Sequence, residues 1–324
     1  MPIVVNSNAS ATEASFNLSR NNEALRKSLG RLSSGKRISN PADDAGGLAV
    51  AYKLNSTINR SYATIQNAQN SLSYLQVQDS SLATVGKILD RMAELRTMAQ
   101  DITKNSGDIE NYSKEFIELQ SQLRQIKEEK FNGISLFAVH TGTAASSKAQ
   151  LSSTSGGVYV DASGASISYT KFGRELITHP SGNTGNGSIS LNVTNLQFVL
   201  SLNTTSGVNL GGISNSNAIT STNIGDDNFI TNIRDVSVSA FINAIEKLAD
   251  ARAENGAEQN RIMNSINLLQ TNVTNLEAAH GRIMDADIAL ESTRFARYNV
   301  LVQASAAMTA QANQMTNIAL SLLG

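Results

Sequence analysis

Residues 47–102 read GLAVAYKLNSTINRSYATIQNAQNSLSYLQVQDSSLATVGKILDRMAELRTMAQDI. Beyond Leu54 the apolar positions Ile58, Tyr62, Ile65, Ala68, Leu72, Leu75, Leu82, Val85, Leu89 and Met92 are spaced by threes, fours and a seven. That spacing lines one face of an α-helix and predicts a single helix over the whole stretch. At 1.5 Å per residue such a helix is ~80 Å long, so it needs partners along its length. Two partners can be read directly. Ile109, Tyr112, Phe116, Leu119, Leu123 and Ile126 repeat at 3-4-3-4-3, and Ile262, Ile266, Leu269, Val273, Leu276, His280 and Ile283 hold the same seam near the other end. Asn105-Ser106-Gly107-Asp108 supplies the turn between the first two helices, and Phe131-Asn132-Gly133 the end of the second.

Working outward, the two chain ends carry further amphipathic segments. Leu18, Leu25, Leu29 and Leu32 lie at the front, and Phe295, Tyr298, Val302, Met308, Ala312, Met315, Ile318 and Leu322 at the back. A hairpin of these two segments would still expose apolar stripes that further subunits could cover. The middle differs. Residues 1–140 hold 16 basic and 14 acidic residues and 235–324 hold 6 and 9, whereas 141–234 hold 4 and 4. The same zone carries 12 of the 22 glycines among dense Ser, Thr and Asn, a composition of turns and short strands. Ile189–Val193 and Leu196–Leu200 are its expected β segments. The expected fold is therefore mainly α, a long antiparallel helical bundle or coiled coil formed by the two chain ends, with a small β-rich surface insert.

Composition removes several function classes. A net charge of −1 offers no polycation to grip nucleic acid or an anionic membrane. The absence of cysteine excludes disulfides, thiolate nucleophiles and Cys-ligated zinc, and aromatic residues at 5% leave little for a rigid ligand pocket. The opening Met-Pro-Ile-Val-Val-Asn has neither the basic nor the apolar region of a secretory signal peptide. Residues 298–324 carry no charge, but Gln303, Gln311, Asn313, Gln314 and Asn317 argue against a membrane span.

Gly30-Arg31-Leu32-Ser33-Ser34-Gly35-Lys36-Arg37 nearly spells a phosphate-binding loop, yet Arg37 stands where Ser or Thr must ligate magnesium, and a helix rather than a strand precedes it. It reads as a basic hinge. With Arg20, Arg26, Lys27, Arg31, Lys36 and Arg37 against Glu23, the run is a solvated or subunit-facing surface. Asp43 and Asp44, after Asn40-Pro41, are expected to cap the long helix, and Asp285 and Asp287 to offer further partners to the basic run. Capping and ion pairing explain these carboxylates better than acid–base catalysis. His140, His179 and His280 are scattered and outside any zinc motif, so no metal, cofactor or catalytic residue is assigned. Asn192-Val193-Thr194 and Asn203-Thr204-Thr205 match the glycosylation sequon, which chance supplies often in so Asn/Thr-rich a stretch.

Arg31–Ile38, followed by Pro41-Ala42-Asp43-Asp44-Ala45-Gly46-Gly47-Leu48-Ala49, resembles the amino-terminal signature of bacterial flagellins. Asn275–Ala279, Arg282-Ile283-Met284-Asp285-Ala286-Asp287, Gln311–Gln314 and the closing Leu320-Ser321-Leu322-Leu323 resemble the carboxy-terminal one, in matching order. The resemblance covers about 1–140 and 235–324. It implies an inner domain of terminal helices (1–40 with 285–324), a spoke near 31–47, an outer bundle (41–140 with 235–284) and a surface insert (141–234).

The resemblance further implies a role for particular residues. Spoke and assembly contacts would fall to Arg31, Ser34, Gly35, Arg37, Asp43, Asp44, Arg282, Asp285 and Asp287. Inner-core packing would fall to Leu18, Leu25, Leu29, Val302, Met308, Met315, Ile318 and Leu322. Function would be that of a structural subunit polymerising into the flagellar filament, extracellular, without enzymatic activity. Partners would be copies of itself in an open helical homopolymer, the flagellar type III export apparatus, an export chaperone, and the filament cap and hook–filament junction proteins, with neither nucleic acid nor membrane. Flagellins also carry a helix surface seen by the animal innate-immune flagellin receptor. Leu89–Leu95 matches it, with Arg91 and Leu95 central and Glu94 beside them, while Gln125 stands where an acidic residue is expected on the second helix, which weighs against receptor activation. Rival readings are a hook–filament junction protein, which usually departs from the Asp43–Ala49 pattern, a membrane-active translocator using the tail, and an enzyme in the insert.

Overall fold

The structure, a computed structural model, describes residues 8–138, 152–160, 166–200, 230 and 232–321. The mainly α expectation holds. Helices α1 (Ala9–Ser34), α2 (Ala45–Met98), α3 (Ser106–Lys127), the single turn α4 (Leu196–Val199), α5 (Val238–Met284) and α6 (Ile288–Ser321) are accompanied by two small antiparallel sheets. The chain forms two compact units: a terminal unit of Met1–Asn59 with Asn272–Gly324, and a central unit of Arg60–Thr271. His140, Asn203-Thr204-Thr205 and Leu322 lie outside the described residues, as do the side chains of Met315 and Ile318.

In the terminal unit α1 and α6 lie antiparallel. Asn8 opens α1 by accepting the Ala11 N–H on its side chain at 3.1 Å. Gly35 closes the helix in the left-handed region at φ 69°, donating its N–H to the Arg31 carbonyl at 2.9 Å, a conformation glycine adopts without a Cβ penalty. The positions of α1 turned inward are Ala11, Ala14, Leu18, Asn21, Leu25, Ser28 and Leu32, a strict 3-4 alternation. Glu291, Phe295, Tyr298, Val302, Ser305, Thr309 and Ala312 are the inward positions of α6. A separate small cluster buries Ile38, Ala51 and Met284 against Leu48 and Ile283.

In the central unit the predicted stripes meet. Leu75, Leu82, Val85, Leu89, Met92 and Leu95 of α2, Phe116 and Leu123 of α3, and Phe241, Ala244 and Ile262 of α5 are all within 1% of full burial. Phe116 and Phe241 meet edge to face at 6.1 Å. Gly86 allows α5 to come close, since a Cβ there would stand 3.2 Å from Leu248 Cδ2. Tyr62 departs from the predicted stripe at 48% exposure, while Ser61 and Thr64 beside it are buried. A 3.6-residue turn drifts against a seven-residue repeat, and over so long a helix the inward line passes onto polar positions.

Helix α3 opens with a reciprocal capping box between Asn105 and Asp108. It ends at Lys127, earlier than Phe131-Asn132-Gly133. Those residues belong instead to a hairpin of β1 (Lys130–Phe131) and β2 (Ile134–Ser135), with Asn132 at φ 50° and Gly133 at φ 78°, as a two-residue turn with two left-handed positions requires. The second sheet orders β3 (Ser152–Val160), β4 (Ser166–Ile177) and β5 (Ser188–Val193) antiparallel. The expected strand Ile189–Val193 is β5, its Ile189, Leu191 and Val193 buried. Leu196–Leu200, also expected as strand, is the helical turn α4 instead. Asn195 caps it by accepting the Phe198 N–H, and Leu196, Val199 and Leu200 bury at helical spacing. A five-residue apolar run satisfies either period.

Candidate functional site

The segment after α1 and the segment between α5 and α6 are held together by backbone. Arg37 N donates to the Met284 carbonyl at 2.6 Å and Ala286 N to the Gly35 carbonyl at 2.9 Å, with Lys36 bridged to Asp285. Arg37 adds its guanidinium, donating from Nε and Nη2 to the Ile283 carbonyl at 3.1 and 2.9 Å. Ser34 Oγ accepts the Lys36 N–H at 3.2 Å. Seven of the sequence-derived assembly residues, Arg31, Ser34, Gly35, Arg37, Asp44, Asp285 and Asp287, thus take part in this junction or in the helix starts beside it.

The carboxylates divide their work differently from expectation. Asp44 alone caps α2, accepting the Gly47 N–H on its side chain at 2.8 Å and the Leu48 N–H on its carbonyl at 3.0 Å. A Cβ at Gly47 would collide with that carboxylate, which explains why the small residue follows the acidic pair. Asp43 turns to Lys27 at 2.5 Å, and the hydrogen bond from Lys27 holds its carboxyl below the usual range. Asp44 also lies 3.9 Å from Arg37. Asp287 is not an ion-pair partner of the basic run: it caps α6, accepting from Ala289 N at 3.0 Å and Leu290 N at 3.1 Å. Asp285 joins through backbone, and Arg282 is exposed. The acid that answers Arg31 is Glu291, which sequence reading missed. Its carboxylate is 6% exposed, accepts Ser28 Oγ at 2.7 Å and Arg294 Nη1 at 3.3 Å, and stands 4.0 Å from Arg31 Nη1.

Along the helix pair, polar bonds fix the register: Asn8 Nδ2 donates to the Ala312 carbonyl at 2.8 Å and Asn21 Nδ2 to Ser305 Oγ at 3.3 Å. Leu18, Leu25 and Val302 face the seam half-buried, but Leu29 and Met308 do not, at 54% and 65% exposure. Phe16, Ile288, Leu290 and Val300 are also at least half exposed. The pair therefore closes on a mixed seam of small, polar and half-buried apolar residues and leaves several further large apolar side chains facing outward.

The receptor-like surface is rearranged relative to expectation. Leu95 is 1% exposed and belongs to the core, so it offers nothing to a receptor. Arg91 is held by Glu115 at 2.8 Å and Glu94 at 3.1 Å. Gln125 is exposed, and the acid that α3 sets against Arg91 is Glu115 rather than position 125. Among the described residues no helix is long and apolar enough to cross a membrane, and no group of three potential metal-binding side chains occurs.

Comparison with known proteins agrees with this arrangement at both ends. Residues 5–141 match the bacterial flagellin N-terminal helical region and 238–323 the bacterial flagellin C-terminal helical region. The flagellin of Bacillus subtilis (strain 168) is 30% identical over 98% of this chain and 99% of its own length. The flagellar filament 33 kDa core protein of Treponema phagedenis is 29% identical over 99% and 100%. A crystal structure of Bacillus cereus flagellin, 21% identical and covering 66% of this chain and 94% of that one, superposes with a TM-score of 0.39, too loose to say anything about the fold. Two end regions spanning more than half of the chain, together with relatives alike along its whole length, make this protein a member of the bacterial flagellin family.

Proposed function

We infer that the chain is the structural subunit of a bacterial flagellar filament, an extracellular helical homopolymer that serves as the propeller of swimming cells. The observation that carries this reading is the apolar surface that the terminal helix pair leaves exposed. Phe16, Leu29, Ile288, Leu290, Val300 and Met308 all remain at least half exposed on helices whose mutual seam is already occupied. Burying each such side chain is worth about 1.5–3 kcal/mol, so covering them with neighbouring copies supplies roughly ten kcal/mol before ordering costs. Contacts between unlike patches that do not close into a ring propagate as a helix.

Within that reading we assign the helices of 1–40 and 285–324 to an inner domain, 41–140 with 235–284 to an outer bundle and 141–234 to a surface insert. The spoke near 31–47 transmits load between copies, and the Ser28–Glu291–Arg31 and Lys27–Asp43 contacts support that assignment. An unfolded passage through the flagellar type III export apparatus, a chaperone shielding the apolar tail, and end contacts with cap and hook–filament junction proteins complete the proposal. Dissociated full-length protein, seeded with filament fragments and imaged by negative-stain microscopy, is expected to grow open-ended filaments. A compact monomer that refuses to elongate at high concentration would overturn the assignment.

A further inference from the structure

In the central unit, two carboxylates one turn apart on α5 converge on a single residue of β5. Glu258 accepts the Asn192 backbone N–H on both of its oxygens, at 2.9 and 3.0 Å. Glu254 accepts the Asn192 side-chain amide at 2.6 Å and also binds the Lys171 ammonium of β4. β5 is an outer strand of its sheet, and Asn192 lies opposite Gly173 of β4. An outer strand has an unpaired row of N–H groups, and here a side chain of α5 takes the place of a further strand. The electrostatics are uneven. The ammonium goes to Glu254, while the donor to Glu258 among the described residues is the neutral Asn192 N–H.

The charged and titratable groups around Glu258 are Glu254 and Arg261 of α5, Lys171 of β4, and the Tyr74 phenol of α2, over which Arg174 of β4 stacks at 5.8 Å. With the bonded cation on Glu254, a second carboxylate drawn to the same partly buried strand favours a proton on Glu258. We propose that Glu258, gathered with Glu254 on Asn192, is a proton-sensitive clasp that takes up one proton when the β3–β5 sheet seats on α5, so the sheet is held more tightly as the medium acidifies and loosens as it turns alkaline. Protonation gives up one of the two oxygen contacts to Asn192, but the carbonyl oxygen of a neutral Glu258 still accepts the Asn192 N–H. Burial first, and then the charge of Glu254, push the Glu258 carboxyl up to about 7, against the lowering by the Asn192 N–H, Lys171 and Arg261. A carboxyl raised in this way stabilises the seated sheet fully below its ordinary 4.5, and that contribution is lost as pH rises through about 7.

Hydrogen exchange of the full-length monomer, followed in the peptide covering Ser188–Val193 and corrected for intrinsic rates, reads this directly. Protection is expected to fall about tenfold between pH 6 and pH 8 in the wild type. Glu258→Gln keeps a bond to Asn192 and cannot ionise, so its protection should show no step between pH 6 and pH 8 and should be at least that of the wild type at pH 6. Glu254→Gln should move the step to lower pH. The proposal fails if wild-type protection is flat, if the step survives in Glu258→Gln, or if that variant is unprotected throughout, which would show that the ionised carboxylate makes the clasp.

Discussion

The central unit and the terminal unit are both built from helices with three-four apolar spacing, yet they spend it differently. The largest fully buried side chains, Phe116, Phe137, Phe241, Leu75, Leu82, Leu89 and Met92 among them, all belong to the central unit, residues 60–271. Among the described residues of the terminal unit the buried positions are Ile38, Ala51, Ile58, Val273, Met284 and Ala312 with the polar Ser28 and Glu291, and the phenylalanine, leucine and methionine side chains at 16, 29 and 308 face outward. The same repeat thus serves a closed core in one place and an open surface in the other. The seam of α1 and α6 leaves Leu18, Leu25 and Val302 only half-buried and fixes its register through asparagine and serine hydrogen bonds, so apolar area remains for contacts with further copies.

This contrast can be broken experimentally. Deleting Met315–Gly324 has the largest expected effect: elongation is abolished while far-UV circular dichroism still reports a folded, soluble helical unit. Normal filaments from the truncated chain would erase the distinction between the two regions. Phe116→Ala acts in the opposite place. It should cost about 3–5 kcal/mol of monomer stability in urea unfolding, without altering filament geometry once the protein is folded. Phe16→Ser and Met308→Ser should leave monomer melting unchanged to within about 0.5 kcal/mol and raise the critical concentration for polymerisation about tenfold each, measured by sedimentation. A drop in monomer melting instead would place those side chains in an intramolecular core. The smallest effect belongs to Asp43→Asn. The depressed carboxyl of Asp43 contributes stability present above its ordinary 3.8 and lost as pH falls through its lower folded value. Filaments of wild type and variant should therefore differ slightly in thermal dissociation at pH 7, and not at all well below pH 3.8. An unchanged difference in acid would remove Lys27–Asp43 from the contacts that matter.

Reading from residues alone went furthest where periodicity is long. The stripes of α2, α3 and α5 identified Leu75, Leu82, Leu89, Met92, Phe116, Leu123 and Ile262 as core before any fold was considered, and all are buried. It failed where a run was short or a seam position polar. Leu196–Leu200 suited strand and turn equally until Asn195 capped it. Ser28 and Glu291 carry no hydropathy signal, so the buried hydrogen bond between them was invisible, although Glu291 falls on the same helical line as Phe295 and Tyr298. Glu115 could have been found by folding α3 back on α2 about the turn near residue 103, the midpoint between it and Arg91.

What the sequence by itself determined is that this chain makes long amphipathic helices toward both ends, with a capping acid after Asn40-Pro41, and that these helices need partners. Hydropathy period and capping chemistry are local properties, written within a few turns of one helix. Only the tertiary structure decided that Glu291 rather than Asp285 or Asp287 meets Arg31, that Leu95 is core, and that Phe16 and Met308 are left outside. Those outcomes depend on which residues hundreds of positions apart share a register, and a charge or a methyl group acquires its role from the group placed opposite it.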